Sequence, residues 1–328
     1  MEGVDEDDHA GLQGEPMQLI RGHGAITENH RGCVATIGNF DGVHLGHQDI
    51  LSQVRERARK EDVPTCVIVF EPLPREFFAR VSGADTPPPA RIQTFRDKLE
   101  ALNRAGVDQV LCLSFNEALR SLTADEFIRQ VLVDGLAIHH LVVGDDFRFG
   151  CDRKGNFESL QDAGEQYGFT VDHTRTVIRD GDRVSSTRIR QLLSDGDFAM
   201  AEKLLGSLFT ISGRVNHGQK LGRRLGMPTA NLRIGRCHCP VQGVYAVRVH
   251  GLDKPYGAVA NIGSRPTVNG QIERLEAHLL DFSGDLYGRR IRVEFIEKIR
   301  DEQKFSHLDE LKAAIENDVS RARAILAE

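Results

Sequence analysis

The sequence predicts an α/β doubly wound domain built on a parallel sheet, followed by a small antiparallel β-barrel with a C-terminal helix. Three observations predict it. Short, continuously apolar segments alternate with helical patterns up to about residue 206, as expected for strands buried on both faces of a parallel sheet. Beyond Gly206 the period changes to short alternating strands, most of them separated by glycine-containing turns. At 328 residues the chain is long for one domain and comfortable for two, and 40% hydrophobic with 27% charged residues is an ordinary globular composition.

In chain order, residues 33–37 are partly β-branched and apolar, and a tight loop and a helix over about 47–60 follow them. Strands are then expected at 65–70, 109–113 and 141–143, with helices near 91–105 and 123–133 between them. In the second half, 209–215, 229–234, 244–249, 257–262, 275–280 and 291–296 read as strands, and a helix over about 308–326 closes the chain. The boundary falls near Gly206 and Ser207, giving expected domains at 31–206 and 207–328.

Residues 1–15 hold Glu2, Asp5, Glu6, Asp7, Asp8 and Glu15 and no Lys or Arg, which accounts for the whole net charge of −6. Residues 1–30 are therefore read as a disordered acidic extension. The neutral remainder argues against a nucleic-acid partner. No apolar run reaches the roughly 20 residues that span a bilayer, and no basic-then-apolar leader opens the chain, so a cytoplasmic protein is expected. Of six scattered cysteines, three sit inside apolar strand patterns and read as buried thiols; Cys237-His238-Cys239 lacks a second cluster with zinc spacing and reads as a surface loop.

Residues 38–47, GNFDGVHLGH, carry the most chemistry. The order strand, glycine-rich loop, helix aims backbone amides and the positive end of a helix at the region above the strand's carboxyl end, a site for phosphates. His44 and His47 are three apart at the first helical turn and can share a face; Gly46 between them would let a ligand approach the backbone. Two histidines at a phosphate site suggest phosphoryl or nucleotidyl transfer. In that chemistry the site orients two anions and spreads the charge growing on the α-phosphate and leaving pyrophosphate.

The decapeptide resembles the His-x-Gly-His signature of the nucleotidylyltransferase superfamily. Three further segments, Phe70 to Phe78, Val143 to Gly150 and Val184 to Arg190, resemble one of its branches, the bacterial bifunctional riboflavin kinases/FMN adenylyltransferases. The second half adds Gly213-Arg214-Val215, Gly222-Arg223 and Pro228-Thr229-Ala230-Asn231, similar to the riboflavin kinase signature of that family, with Met227 in place of a common Phe. Residues 151–156 depart from the family's usual loop.

The resemblance implies a division of roles. His44 and His47, with Gly38, Asn39, Phe40, Asp41 and Gly46, and Ser185, Ser186, Thr187 and Arg190, would bind ATP phosphates for adenylyl transfer. Phe70, Pro72, Asp146, Phe147 and Phe149 would bind flavin there. In the barrel, Gly213, Gly222, Arg223, Pro228, Thr229 and Asn231 would bind ATP, Thr229 and Asn231 would hold Mg²⁺, and Glu276 would accept the riboflavin hydroxyl proton. Strand alternation puts Thr229 and Asn231 on one side, and Glu276 with His278 opposite Leu275, Ala277 and Leu279. Riboflavin, FMN, FAD and ATP are then the small molecules handled; nucleic acid and membrane are not expected partners, and homo-oligomers are compatible with the reading. Two rivals stay open: a nucleotidylyltransferase for another phosphorylated acceptor, and a flavin-binding regulator without turnover.

Overall fold

The computed structural model describes residues 16–83, 88–144, 146–151, 153–217, 227–234, 238–267 and 270–327. By contact density the chain forms two compact units. Met1–Gly38, Leu51–Glu71 and Asn103–Thr174 make the first; Asn39–Ile50, Pro72–Leu102 and Arg175–Glu328 make the second.

The first unit holds a six-stranded parallel sheet: β1 Gln18–Arg21, β2 Val34–Ile37, β3 Thr65–Glu71, β4 Gln109–Ser114, β5 His140–Val143 and β6 Thr170–His173. Its order is β1-β4-β3-β2-β5-β6, so the winding reverses between β2 and β5, where doubly wound folds bind ligands. The apolar runs become strands because both faces are covered: Val34, Ala35, Cys66, Val67, Ile68, Val110, Leu111 and Leu141 are fully buried. One face packs on Phe127, Ile128, Val131 and Leu132, and on Leu160.

Helix α1 Leu45–Glu61 starts two residues earlier than expected. After it come α2 Pro74–Ser82 and α3 Phe95–Arg104, the latter shorter than the expected 91–105. Next are α4 Glu117–Arg120, α5 Ala124–Phe127 with a π-helical continuation Ile128–Val133, and α6 Phe157–Tyr167. A short antiparallel pair, β7 Ile178–Arg179 and β8 Asp182–Arg183, leads to α7 Ser186–Asp195 and α8 Phe198–Leu205.

The expected disorder through residue 30 is corrected from residue 18 onward. Strand β1 extends the sheet by pairing with β4, from Gln18 opposite Gln109 to Arg21 opposite Cys112, and Ile20 is buried in the core that covers the sheet. Residues 1–15 lie outside the described residues.

In the second unit, β9 Thr210–Asn216, β10 Ala230–Arg233, β11 Gly243–His250, β12 Tyr256–Thr267, β13 Gly270–Leu279 and β14 Arg290–Arg300 close a barrel in the order β10-β13-β12-β11-β14-β9. Every ladder is antiparallel. Alternate residues fill the interior, among them Val247, Ala258, Ala260, Ile262, Leu275, Ala277 and Phe295, and Phe198 and Leu204 of α8 join that core. The closing helix, α9 Leu308–Ala327, lays Ala322 and Val319 on the outward Val244, Ala246 and Val259. It is tied down by Arg300, which donates from Nε to the buried Asp318 at 2.9 Å and from Nη2 at 2.7 Å.

Four of the cysteines, Cys33, Cys66, Cys112 and Cys239, are buried free thiols, and Cys151 is exposed; Cys237 lies outside the described residues.

Candidate active sites

The loop after β2 is strained where the sequence is richest. Phe40 and Val43 have φ of 46° and 40°, and Gly42 between them has φ of 95°. A positive φ is costly for a bulky or β-branched residue, and burial holds it here: Phe40 and Val43 are 2% and 4% exposed. Asp41 lies beneath, its carboxylate accepting from the backbone N–H of Ile92 at 3.1 Å and of Gln93 at 3.3 Å, and from Arg190 Nη2 at 2.7 Å. Ser186 Oγ donates to the Asp41 carbonyl at 2.9 Å, and buried Lys98 donates Nζ to the Asn39 carbonyl at 2.6 Å. Lys98 was not among the residues expected from sequence; its partner is 59 positions away, beyond any local pattern.

This frame stacks the two imidazoles. His44 and His47 have ring centroids 3.6 Å apart and planes within 15°, and Phe40 lies against His47 at 4.9 Å. His44 Nδ1 accepts from the His47 backbone N–H at 3.3 Å, so the neutral ring carries its proton on Nε2. Burial pushes His44 down to about 4, against the opposing pull of Asp41; His47 is pushed well down, by burial first and then by His44, Lys98 and Arg190. Both rings are therefore neutral near pH 7. Nδ1 of His47 is buried and has no hydrogen-bond partner among the described residues.

One expectation changes in its reason. Gly46 was read as leaving room for a ligand, but a Cβ there would lie 3.2 Å from His44 Cε1 and Nδ1, so the glycine admits the imidazole. Arg190, expected to bind the ATP phosphates, donates its Nε to the Ala90 carbonyl at 2.6 Å and its Nη2 to Asp41 at 2.7 Å. Ser185 caps α7, accepting from the Arg188 N–H at 3.3 Å. Thr187 and Arg190 line a polar cavity of about 630 Å³ with Arg75, Gln191, Ser194 and Lys298.

In the first unit, Gly38 continues β2 and donates its N–H to Ile68 at 3.1 Å. Phe70, near the end of β3, meets Phe115 edge-on at 5.8 Å. Phe147 stacks on Phe149 at 5.4 Å, and Phe149 is buried, bridging to Gly155, while Asp146 is exposed. Phe149 thus packs inside the core, and Phe147 is the more open ring. Pro72 is half-buried just beyond β3.

In the barrel, antiparallel register builds a row. Glu276 on β13 stands opposite Asn231 on β10 and, on its other side, opposite Asn261 on β12. Leu275, Ala277 and Leu279 point inward and buried while Glu276 and His278 point outward, as the alternation predicts. Asn231 Nδ2 donates to the Thr229 carbonyl at 3.2 Å, and His278 Nδ1 lies 2.9 Å from the Pro228 carbonyl. Pro228, Thr229 and Asn231 share a cleft of about 300 Å³ with Leu279, Phe282 and Tyr287. Gly213 lies inside β9, where a Cβ would be 3.1 Å from Leu232; Gly222 and Arg223 lie outside the described residues.

Comparison with known proteins gives this geometry its context. A FAD synthetase family model matches residues 26–188, and a riboflavin kinase family model matches residues 205–326. A bifunctional riboflavin kinase/FMN adenylyltransferase of Pseudomonas fluorescens is 55% identical over 312 residues, covering 95% of this chain and 98% of that protein. The protein of the same name from Escherichia coli K12 is 52% identical over 309 residues, covering 94% and 97%. A crystal structure from Streptococcus pneumoniae, named a macrolide-efflux protein, has a TM-score of 0.74 at 32% identity and covers 94% of this chain and 99% of that one. Among the described residues no helix is long and apolar enough to cross a membrane. With two family models tiling the chain and full-length relatives above half identity, the chain belongs to the bifunctional riboflavin kinase/FMN adenylyltransferase family.

Proposed function

We propose that the chain makes FAD in two steps. ATP phosphorylates the terminal ribityl hydroxyl of riboflavin in the barrel, giving FMN and ADP. A second ATP then transfers its adenylyl group to the FMN phosphate at the His44/His47 loop, giving FAD and pyrophosphate. The observation that carries this reading is the pair of family matches in one chain, each falling on its own polar constellation. We assign the first activity to residues 207–328 and the second to residues 31–206.

In adenylyl transfer the acceptor phosphate is already ionised, so the residues orient and stabilise rather than deprotonate. His44 offers Nε2–H, and a neutral imidazole can donate to phosphate without the cost of a buried charge. Thr187 and Arg190, which line a cavity large enough for a nucleotide, are assigned as further donors, with Ser185 and Ser186 at the start of α7 assigned to the same phosphates, Ser186 through its backbone N–H because its hydroxyl is committed to Asp41. Phe70, Pro72, Asp146, Phe147 and Phe149 are assigned to the flavin.

In the kinase step Glu276 accepts the hydroxyl proton as the alcohol oxygen attacks the γ-phosphorus and ADP leaves. Thr229 and Asn231 are assigned to Mg²⁺. Their hydroxyl and amide oxygens are hard donors two residues apart at the start of β10, with Asn231 Nδ2 3.5 Å from Thr229 Oγ1, and they suit an ion that keeps waters and phosphate oxygens in its remaining positions. When bound, Mg²⁺ offsets the charge of the phosphates. Gly213, Gly222, Arg223 and Pro228 are assigned to ATP. The partners are these small molecules, and the compartment is the cytoplasm.

Incubation with riboflavin, ATP and Mg²⁺, with flavins separated over time, should give FMN and then FAD. FAD from supplied FMN without any FMN from riboflavin would remove the kinase half, and product only with a different phosphorylated acceptor would replace the adenylyl half.

A further inference from the structure

Helix α7 turns four polar side chains to one side. Thr187, Arg190, Gln191 and Ser194 recur at the three- and four-residue spacing of a single helix face, while Ile189 and Leu193 are fully buried. These four line the polar cavity of about 630 Å³, whose lining belongs entirely to the second unit. The barrel supplies another part of the wall: Gln242 just before β11, Lys298 near the end of β14 and Asp301 just beyond it. Among the described residues the lining carries the cations Arg75, Arg190 and Lys298 against one carboxylate, Asp301. A polar pocket with an excess of positive charge suits a polyanion.

The backbone fixes where Lys298 points. The pairing of β11 with β14 shifts register between Val244 and Tyr245 and again between Ala246 and Val247, and Lys298 stands opposite Tyr245 between the two shifts. Such bulges bend a strand and re-aim its side chains. The lysine stem then runs past two glycines of positive φ, Gly196 at the end of α7 with 81° and Gly243 at the start of β11 with 117°. A Cβ on Gly196 would lie 3.6 Å from Lys298 Cβ and 3.7 Å from its Cδ, and one on Gly243 would lie 3.4 Å from its Cε. The ammonium ends 2.7 Å from Asp301 Oδ1, on a side chain that is 85% exposed. An exposed carboxylate is a weak hold on a lysine, because solvent screens the pair, so a phosphate chain can replace it.

We infer that Lys298, carried on the barrel, binds the outer phosphates of the ATP used in adenylyl transfer, exchanging Asp301 for phosphate oxygens when the nucleotide enters. This rests on the reading above that the cavity receives the ATP of the adenylyl step. From Thr187 in the first turn of α7 to Ser194 near its end, the cavity wall extends about 10 Å at 1.5 Å per residue. Ser186, at the start of the same helix, is bonded to the Asp41 carbonyl of the histidine loop. With the adenylyl end of ATP at that loop, its outer phosphates run along α7 toward Gly196 and the lysine. Lys298 makes and breaks no bond to phosphorus; it holds charge away from the reacting α-phosphorus and binds ground and transition states alike. The adenylyl site thereby takes one residue from the domain assigned to the kinase. A cation beside a helix C-terminus can also serve the helix dipole alone, a structural role that predicts different kinetics.

The test measures KM for ATP and kcat in the full chain, both for FAD formation from supplied FMN and for FMN formation from riboflavin. Lys298→Met should raise KM for ATP in adenylyl transfer on the order of tenfold, as for loss of a charge-assisted hydrogen bond, and leave kcat within about twofold. Asp301→Asn should lower the same KM about two- to threefold, because it removes the competing carboxylate. In both variants KM for ATP in the kinase reaction should stay within about twofold, which also reports that the barrel is folded. If the ion pair is only structural, both variants lose the same contact and move KM in the same direction or not at all; either result overturns the inference, and so does a matching rise in KM for both reactions. Thr187→Val distinguishes this from the reading beneath it and should raise KM for ATP several-fold in adenylyl transfer alone. A rise in Thr187→Val with none in Lys298→Met removes the lysine only; no change in either removes the cavity as the site of the adenylyl ATP.

Discussion

The loop assigned above to adenylyl transfer and the row assigned to the kinase step bring their polar groups together by opposite means. The loop is local: His44 and His47 lie three residues apart, and strain at Phe40 and Val43, held by burial and by the Asp41 network, sets their stack. The row is made by pairing: Asn231, Glu276 and Asn261 meet only because β10, β13 and β12 are in register. The histidine stack should therefore be sensitive to the residues that hold Asp41 and Asn39 in place, whereas the backbone register of the row should survive replacement of any one of its side chains.

The largest expected effect separates the two directly. Glu276→Gln should lower FMN formation by roughly 10² to 10⁴-fold, the usual contribution of a general base, and leave FAD formation from supplied FMN intact. Loss of both activities in a folded variant would mean that the regions do not act separately. The mirror experiment, His44→Ala combined with His47→Ala, should cost adenylyl transfer about 10² to 10³-fold, as for removal of preorganised donors, and spare the kinase.

A third contrast lies in pH. His44 is held at about 4 against an ordinary 6.5, so between those values the unfolded chain binds a proton that the folded chain refuses. Stability is therefore full above about pH 6.5 and is lost as pH falls toward 4; the part lost between pH 7 and 5 is about 2 kcal/mol. His47, shifted the same way, adds to it. Urea midpoints at the two pH values should differ less in His44→Ala than in the unaltered chain; an equal difference would show that this histidine is not buried neutral.

The same contrast explains what was legible in the sequence. β2 to β5 were readable because strands buried on both faces are continuous apolar runs. β6 was not: Thr170–His173 is an edge strand whose residues are mostly exposed, so no period marks it. β1 was hidden next to an acidic segment, and its pairing with β4 lies outside any local pattern. The histidine loop could be read from ten residues, and Glu276 could be found by family resemblance. The Asp41–Arg190 pair spans 149 positions and the Asn231–Glu276–Asn261 row depends on register, neither of which a local pattern encodes.

The smallest effect tests the local design most sharply. Gly46 lies in the first turn of α1, and an alanine there would gain helix propensity of up to about 1 kcal/mol over glycine. Its methyl, however, would stand 3.2 Å from two atoms of the His44 ring and 3.4 Å from the Val184 carbonyl, closer than ordinary packing allows. The imidazole would have to shift by a few tenths of an ångström. Gly46→Ala should therefore be as stable as the unaltered chain or slightly more so, keep its kinase activity, and lose several-fold in kcat for adenylyl transfer with little change in KM for ATP. If the glycine instead serves to admit a ligand to the backbone, the same methyl would raise KM for ATP and leave kcat largely alone. The two kinetic signatures point in different directions, so this one variant tells whether the loop's spare volume belongs to the histidine or to the nucleotide.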